Sequence, residues 1–278
     1  MMHKTILLFA FFLLALGVTA PQLSAQTGAA SLWTLPKDTS VRETGPRTYR
    51  FNLTYFTASP TGQIVHRERF TADYTRGLPD GQVEWRNVTS EDAAGDKDSF
   101  APSQKRTFME GFRYSEYANS MTPDFFKLFP VNAIMERNLI WDTQMFTFFG
   151  QKFLDKLTLN QPFHVISNQD VSLPEVGNFR NRNVVLEWVG RSQRNGQECA
   201  LIAYRAFFNP LQLATGGMTM DARSDYWGEI WVSLATRQIE YATLYEEVTG
   251  QMKLPNQDAP QPMSVFRIGS FEPVNTGK

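Results

Sequence analysis

The spacing of apolar and polar residues changes period twice along the chain. From Thr48 onward, apolar residues stand at every second position and polar residues stand between them. This alternation predicts strands with one buried face. Short stretches rich in Gly, Pro, Ser and Asp, such as residues 59–62, separate the alternating segments. Consecutive antiparallel hairpins are therefore predicted.

The middle of the chain follows a helical period instead. Thr122, Pro123 and Asp124 form a sequence typical of a helix N-terminus. Apolar residues then recur at three- and four-residue steps, with one longer gap, and form a wide stripe: Met135, Leu139, Phe146, Phe149, Phe153 and Leu157. We expect a deeply seated helical insert over about residues 122–158.

The strand pattern returns in the second half. Residues 183–193 and 197–208 flank Asn195-Gly196, which is the strongest short-range signal for a hairpin. The next segment, residues 209–220, is predicted to be a loop.

The hairpin that follows, Tyr226–Val248, carries large side chains on both faces. Pairing its strands through a turn at Thr236-Arg237 predicts that Tyr245 lies on the core face. The same register places Trp227 and Trp231 on the opposite face. We expect the preceding loop to cover these two tryptophans, or a partner protein to bind them.

These elements predict an α+β fold that is predominantly antiparallel β. About eight to ten strands would form a strongly curved sheet, because a sheet of that size curls or closes. The sheet, a half-barrel or barrel-like, would wrap around the central helical insert. This outline is similar to the open half-barrel of periplasmic lipoprotein carriers, and a lipocalin-like barrel or a helix-grip arrangement are the alternatives. We expect one β-rich domain over residues 47–274.

The N-terminus has the layout of a secretory signal peptide. Lys4 precedes the apolar run Thr5–Val18, which is shorter than the roughly 20 residues of a membrane span. We predict cleavage after Ala25, which makes residues 1–25 the signal peptide and leaves residues 26–46 as a flexible leader. The mature protein would lack a transmembrane segment and would be periplasmic or extracellular, in a bacterial envelope.

Charge and motifs exclude several classes of function. The formal net charge of −1 argues against nucleic-acid binding. The chain has one cysteine, Cys199, so no intrachain disulfide can form, and we expect this cysteine to be buried in a strand. We find no nucleophile or metal-binding motif and predict no cofactor and no metal. The acidic stretch Ser90–Gln104 fits no calcium-loop template and is expected to be a solvated loop.

Asp142 lies at the centre of the apolar helix stripe, where a carboxylate needs a partner. Arg205 and His66 are the candidate partners, because each lies on an apolar strand face. The structural alternatives are a buried Asp–Arg ion pair or a cap for a second short helix that begins at Thr143. Together the candidate ligand-binding residues are Asp142, Asn138, Arg205, His66, Trp188 and Phe146.

Three functions remain in competition. The leading hypothesis is an exported, non-enzymatic protein that binds a lipid or another hydrophobic or amphipathic ligand in the cell envelope. The alternative is an envelope structural or interaction module that binds another envelope protein through Trp227 and Trp231. The third is a hydrolase-type enzyme that uses Asp142 with His66 or Glu187.

Overall fold

The computed structural model describes residues 34–43, 45–95, 97 and 99–274. The predicted signal peptide and residues 26–33 of the predicted leader lie outside the described residues. The described leader residues are hydrogen-bonded to a turn of the sheet: Arg42 N donates to Thr236 O at 2.8 Å, and Arg237 Nε donates to Asp38 O at 2.7 Å.

The described chain forms a mostly antiparallel sheet of eleven strands and a single α-helix. This confirms the predicted predominance of antiparallel strands. The strands are β1 Arg47–Ala58, β2 Ile64–Arg76, β3 Gln82–Ala94, β4 Gln104–Lys105, β5 Phe112–Ser115, β6 Pro162–Leu173, β7 Gly177–Arg194, β8 Gln197–Thr215, β9 Met218–Ser233, β10 Ile239–Lys253 and β11 Gln261–Pro273.

The helix, α1, spans Ile134–Gln151. Two 3-10 helices flank it, at Pro123–Phe126 and Leu154–Lys156. Two more lie at Pro79–Gly81 and Thr107–Met109. In the described ranges, no helix combines the length and apolar character that a bilayer crossing requires.

The strand order explains why the segment that contains α1 crosses the sheet. The order is β4-β3-β2-β1-β11-β10-β9-β8-β7-β6, and β5 also pairs with β3. The chain therefore leaves the sheet at one edge, after β5, and re-enters at the other edge, with β6. The segment between them, which contains α1, must span from edge to edge. The sheet itself is not closed, since β6 pairs only with β7 among the described strands.

Two sequence predictions for the second half met different outcomes. Asn195 and Gly196 have φ values of 53° and 72° and connect β7 to β8, which confirms the predicted hairpin. The predicted loop at residues 209–220 is wrong, because β8 continues to Thr215 and β9 begins at Met218. Gly216-Gly217 supplies a two-residue turn with positive φ values of 58° and 80°, so only the turn is irregular.

The predicted register of the hairpin Tyr226–Val248 is also wrong. Tyr245 pairs with Trp227 and Tyr241 pairs with Trp231, with a register shift between Ile239 and Tyr241. A slip of one residue moves a side chain to the opposite face of the sheet. Tyr245 therefore lies on the outer face with Trp227, and from Ala242 onward the inner face of β10 is formed by even-numbered residues.

Helix α1 packs on the middle of the sheet through aromatic contacts. The ring of Phe146 lies 5.9 Å from Phe51, 5.8 Å from Phe271 and 6.4 Å from Tyr204, centroid to centroid. A Cβ atom on Gly150 would lie 2.9 Å from Ile230 Cγ2, so the backbone of α1 approaches the sheet closely here.

Polar contacts fix both ends of α1. Near its N-terminus, the buried Arg137 donates from Nη1 to Pro174 O at 2.7 Å, in the turn between β6 and β7. At its C-terminus, Gln151 donates from Nε2 to Arg237 O at 3.0 Å, in the turn between β9 and β10. The helix is thus tied to two different turns of the sheet.

Gly228→Ala should destabilise the protein, because an added Cβ would lie 2.1 Å from Thr243 O and 2.7 Å from Tyr204 Oη. It would also disrupt the hydrogen bond from Tyr204 Oη to Thr243 O, which is 2.6 Å long. We expect the free energy of unfolding in urea to fall by about 3 kcal/mol.

The control for this prediction is Gly62→Ala. Gly62 has a φ of 81° but no atom within 4 Å of its added Cβ, so it reports backbone strain alone. We expect that variant to lose about 1–2 kcal/mol. Equal losses in the two variants would contradict the steric explanation for Gly228.

Candidate functional site

A cavity of about 1110 Å³ lies between α1 and the inner face of the sheet. Its wall comes from α1, from the segment that precedes it, and from β1, β2 and β6 to β11. The lining is mainly apolar and includes Phe70, Phe108, Ile134, Trp141, Phe148, Phe149, Ile166, Val171, Leu173, Phe179, Leu211, Leu213, Leu244, Val248 and Val265. Binding sites for small hydrophobic molecules typically combine such a wall with a few placed polar groups.

Methionines are concentrated in the cavity wall. Of the ten methionines of the chain, seven line it: Met121, Met135, Met145, Met218, Met220, Met252 and Met263. Met is unbranched and polarizable, and it is common at surfaces that adapt to differently shaped apolar partners. The wall can therefore adjust to a ligand more readily than a wall of β-branched residues could.

The cavity wall contains a buried cluster of ion pairs. We call it the Arg267 cluster, and it consists of Asp142, Glu246 and Arg267. Arg267 donates from Nη1 to Asp142 Oδ2 at 2.8 Å and from Nη2 to Asp142 Oδ1 at 3.3 Å. Its Nε donates to Glu246 Oε2. Ser224 Oγ donates to the other carboxylate oxygen of Glu246 at 2.5 Å. One guanidinium group thus holds a carboxylate from the helix and another from β10.

Burial dominates the electrostatics of Asp142. It raises the pKa of this carboxyl to about 6, although the nearby Arg267 opposes the shift, and the negative charge of Glu246 adds to it. A buried Asp–Arg pair is one of the two structural alternatives predicted from the sequence. The other, a helix start at Thr143, is wrong because α1 is continuous through that residue.

A second group of charges in the wall is the Arg106 cluster: Glu68, Arg106 and Glu136. Arg106 Nη2 donates to Glu68 Oε1 at 3.2 Å, and its Nε lies 2.9 Å from Glu136 Oε1. Burial raises the pKa of Glu68 to about 7, and the neighbouring Asp92 and Glu136 raise it further against the opposing effect of Arg106. Burial also raises the pKa of Glu136.

Aromatic rings separate the two clusters. Arg267 lies over the ring of Tyr55 at 5.7 Å, and Arg106 lies over Phe70 at 5.7 Å. The rings of Tyr55 and Phe70 contact each other with centroids 6.0 Å apart. The hydroxyl of Tyr55 accepts a hydrogen bond from Asn138 Nδ2 at 3.0 Å. The polar groups of the wall are therefore held in place before any ligand arrives.

Two predicted ligand-binding residues line the cavity and two lie in the core. Asp142 and Asn138 are in the wall. Phe146 is fully buried among aromatic rings, and Trp188 is 1% exposed and donates its indole N–H to Gly190 O at 2.6 Å. Neither Phe146 nor Trp188 belongs to the cavity wall.

Arg205 and His66, predicted as partners for Asp142, are hydrogen-bonded or paired elsewhere. Arg205 lies on the outer face and donates to Glu187 at 3.2 Å. His66 lies 3.4 Å from Asp92, and its side chain is 43% exposed. The partner role predicted for both residues is wrong. Arg267 takes that role because β11, the last of the described strands, lies between β1 and β10 beneath the helix.

Trp227 and Trp231 lie on the outer face of the sheet. The ring of Trp227 stacks on Tyr245 with centroids 6.0 Å apart and contacts Phe207 at 6.2 Å. Trp227 remains 39% exposed. Trp231 donates its indole N–H to Glu229 at 3.0 Å. The segment that was predicted to cover these residues is part of β8 and β9, so it forms no loop over them.

His66, Glu68 and Asp92 are the described residues that could hold a metal ion, with ligand atoms within 4.8 Å of one another. They meet because His66 and Glu68 are two apart on β2 and Glu68 pairs with Asp92 across the hairpin. Arg106 already binds Glu68, however, so a metal ion would have to compete with a guanidinium group. The sequence missed this cluster, since its spacing arises from strand pairing.

Sequence reasoning also missed the methionines and Arg267. The methionine content could have indicated an adaptable apolar surface. Eight methionines follow the predicted signal peptide, and seven of them line the cavity. Arg267 lies between Val265 and Gly269 on the inner face of β11. The alternating pattern of this strand therefore places a charged residue at a position that is otherwise apolar. A buried charge in that position indicates a partner, but the sequence does not say which.

Comparison with solved structures shows a distant similarity. No protein-family model matches the chain, and no curated protein matches it. A solved structure described as "Lipid-protein interactions in lipovitellin" is similar, with a TM-score of 0.42 and 12% sequence identity. The match covers 85% of this chain and 26% of that chain, so this chain spans about a quarter of lipovitellin. A similarity this distant supports no conclusion about function.

Glu68→Gln should change how stability depends on pH. The folded pKa of Glu68, about 7, lies above its ordinary value of 4.5. The contribution of this group to stability is therefore full below pH 4.5 and is lost as the pH rises through 7. Glutamine resembles the protonated form, so the variant should gain up to about 3 kcal/mol relative to the wild type between pH 4.5 and pH 8.

Urea unfolding at several pH values measures this difference. The control is Glu91→Gln. Glu91 lies on the adjoining strand β3, and its carboxylate accepts a hydrogen bond from Arg69 of β2. A pH-independent difference between Glu68→Gln and the wild type would show that the Glu68 carboxyl is not perturbed by burial.

Proposed function

We propose that this is an exported protein that binds a hydrophobic or amphipathic ligand, such as a lipid, in the cavity between α1 and the sheet. The observation that carries the proposal is the cavity itself, which is about 1110 Å³ and is lined mainly by apolar residues. Its role is binding without catalysis, in the bacterial envelope.

The size and lining of the cavity support a ligand over a packing defect. Protein interiors are close-packed, with few voids larger than a water molecule. Small-molecule pockets span roughly 300–1,000 Å³, and this cavity is of that order. An acyl chain would regain the dispersion contacts that the wall lacks.

Partly exposed apolar residues continue the cavity wall toward one end of the sheet. Leu213 pairs with Met220, and Met220 pairs with Met252 across β8, β9 and β10. All three belong to the wall and are only partly buried. This row of apolar side chains would gain burial from a bound chain, which favours binding by roughly 25 cal/mol per Å² of apolar surface.

The proposal includes a strongly curved, half-barrel sheet. Glu68 of β2 and Ile166 of β6 both line the cavity, although six strands stand between β2 and β6 in the sheet order. A flat sheet would hold two such strands roughly 34 Å apart, at about 4.8 Å for each of seven spacings. Curvature around α1 brings them to one cavity.

Export is supported by the N-terminal sequence. A basic residue, an apolar run and a small-residue cut site precede the first predicted strand. Delivery to the envelope would place the protein where lipids and other amphiphiles are transferred between membranes. A periplasmic or extracellular location follows from this proposal.

Replacing cavity methionines should weaken ligand binding. The double variant Met220→Ser and Met252→Ser removes two partly buried apolar side chains from paired positions. We expect the Kd for the neutral dye N-phenyl-1-naphthylamine to rise about tenfold or more, since tenfold is about 1.4 kcal/mol. Fluorescence titration measures the Kd.

The control double variant is Val65→Ser and Ile268→Ser, at outer positions that are 46% and 48% exposed. It removes a similar amount of apolar surface outside the cavity and should leave the Kd unchanged. The absence of any saturable dye site in the wild type, or equal effects of the two double variants, would contradict the proposal.

A second candidate function is favoured by the outer aromatic row, which we define as Phe207, Trp227 and Tyr245. These side chains are 40%, 39% and 38% exposed and contact one another across three strands. An exposed aromatic row of this kind can bind an envelope protein.

Trp227→Ser with Tyr245→Ser tests this second function. If the row is an interface, chemical crosslinking in the native envelope should lose a partner band while the free energy of unfolding changes by less than about 1 kcal/mol, as for surface substitutions. A larger loss of stability, or an unchanged crosslinking pattern, would show that the row only packs against itself.

A further inference from the structure

The charged side chains of the cavity wall point to the chemistry of the ligand's polar end. Six charged residues line the cavity: Glu68, Arg106, Glu136, Asp142, Glu246 and Arg267. Four are acids and two are bases. We infer, on the basis of the proposed function, that the cavity selects amphiphiles with a neutral or cationic polar group and discriminates against anionic ones such as free fatty acids.

Arg267 has little capacity left for an anionic ligand. It donates from both Nη atoms to Asp142 and from Nε to Glu246. An incoming carboxylate would be the third negative group around one guanidinium. The charge of the guanidinium is already offset by two carboxylates, and displacing Asp142 or Glu246 would leave that residue buried without its counter-charge.

Arg106 is occupied in the same way. Its Nη2 donates to Glu68 and its Nε lies 2.9 Å from Glu136. The face of its guanidinium group lies 5.7 Å from the ring of Phe70. The second base of the wall is thus held by two acids and an aromatic ring.

An anion that leaves water for an apolar cavity needs a counter-charge to offset the loss of hydration. Each arginine in the described cavity wall is already paired with two carboxylates. The wall therefore repels an anionic ligand and provides no counter-charge for it. A cationic group would meet two carboxylates at either cluster. A neutral hydroxyl, ester or amide needs no counter-charge and can form hydrogen bonds with polar groups of the wall.

A series of ligands that share one acyl chain tests this inference. Dodecanoate, dodecylamine and 1-monododecanoylglycerol would each be titrated at pH 8 and low salt to displace N-phenyl-1-naphthylamine from the full-length mature protein. The amine and the glyceride should displace the dye at concentrations at least tenfold lower than dodecanoate. Equal or tighter binding of dodecanoate would overturn the inference.

Charge-removing variants identify the residues responsible. Glu246→Gln and Glu68→Gln each remove one acid from one cluster and should each strengthen dodecanoate binding about fivefold. The matched control is Glu247→Gln, because Glu247 is the next residue of β10, faces the other side of the sheet and accepts a hydrogen bond from Thr249. It should leave the selectivity unchanged. If Glu246→Gln does not fold, Glu68→Gln at the separate cluster decides the outcome.

The outcomes separate this inference from the proposed function. Saturable dye binding with a preference for dodecanoate overturns the inference and leaves the proposed function intact. An unchanged selectivity in Glu68→Gln and Glu246→Gln also overturns the inference. A complete absence of saturable dye binding overturns both.

Discussion

The buried guanidinium of Arg267 constrains the helix and the sheet to one arrangement. It binds Asp142 of α1 and Glu246 of β10 from its own position on β11. If α1 moved along the sheet, Asp142 would be buried without its counter-charge and Arg267 would keep only Glu246, which is unfavourable in an apolar environment. We attribute to this cluster a role in specifying how α1 lies on the sheet, since buried ion pairs contribute little to net stability.

With α1 fixed in this way, the cavity follows from the dimensions of the elements. The 18 residues of α1 extend about 27 Å, whereas the 19 residues of β8 extend about 63 Å. The helix runs from the β6–β7 turn to the β9–β10 turn, and it covers only part of such long strands. The uncovered inner surface near Met220 and Met252 is apolar, and it forms the cavity wall beside the Arg267 and Arg106 clusters.

Local sequence patterns predicted most of the strands and the helix. They did not predict how distant segments pair in the sheet. Asn195-Gly196 specified its hairpin because the turn depends only on backbone conformations that these two residues favour. The register of the next hairpin depends on a shift in strand pairing between Ile239 and Tyr241. No local sequence pattern predicts that shift. That slip of one residue placed Tyr245 on the outer face. The strand β6 was not predicted because it is an edge strand with mostly exposed residues.

The sequence by itself determined that most of this chain forms antiparallel strands, that a helix interrupts them, and that Asp142 needs a partner in an apolar stripe. Only the tertiary structure decided that the partner is Arg267, 125 residues away, and that seven methionines share one wall. The physical reason is that alternation and helical periodicity are local properties of the chain. The order of strands in the sheet depends on pairing between distant segments, and that order determines which residues face the helix.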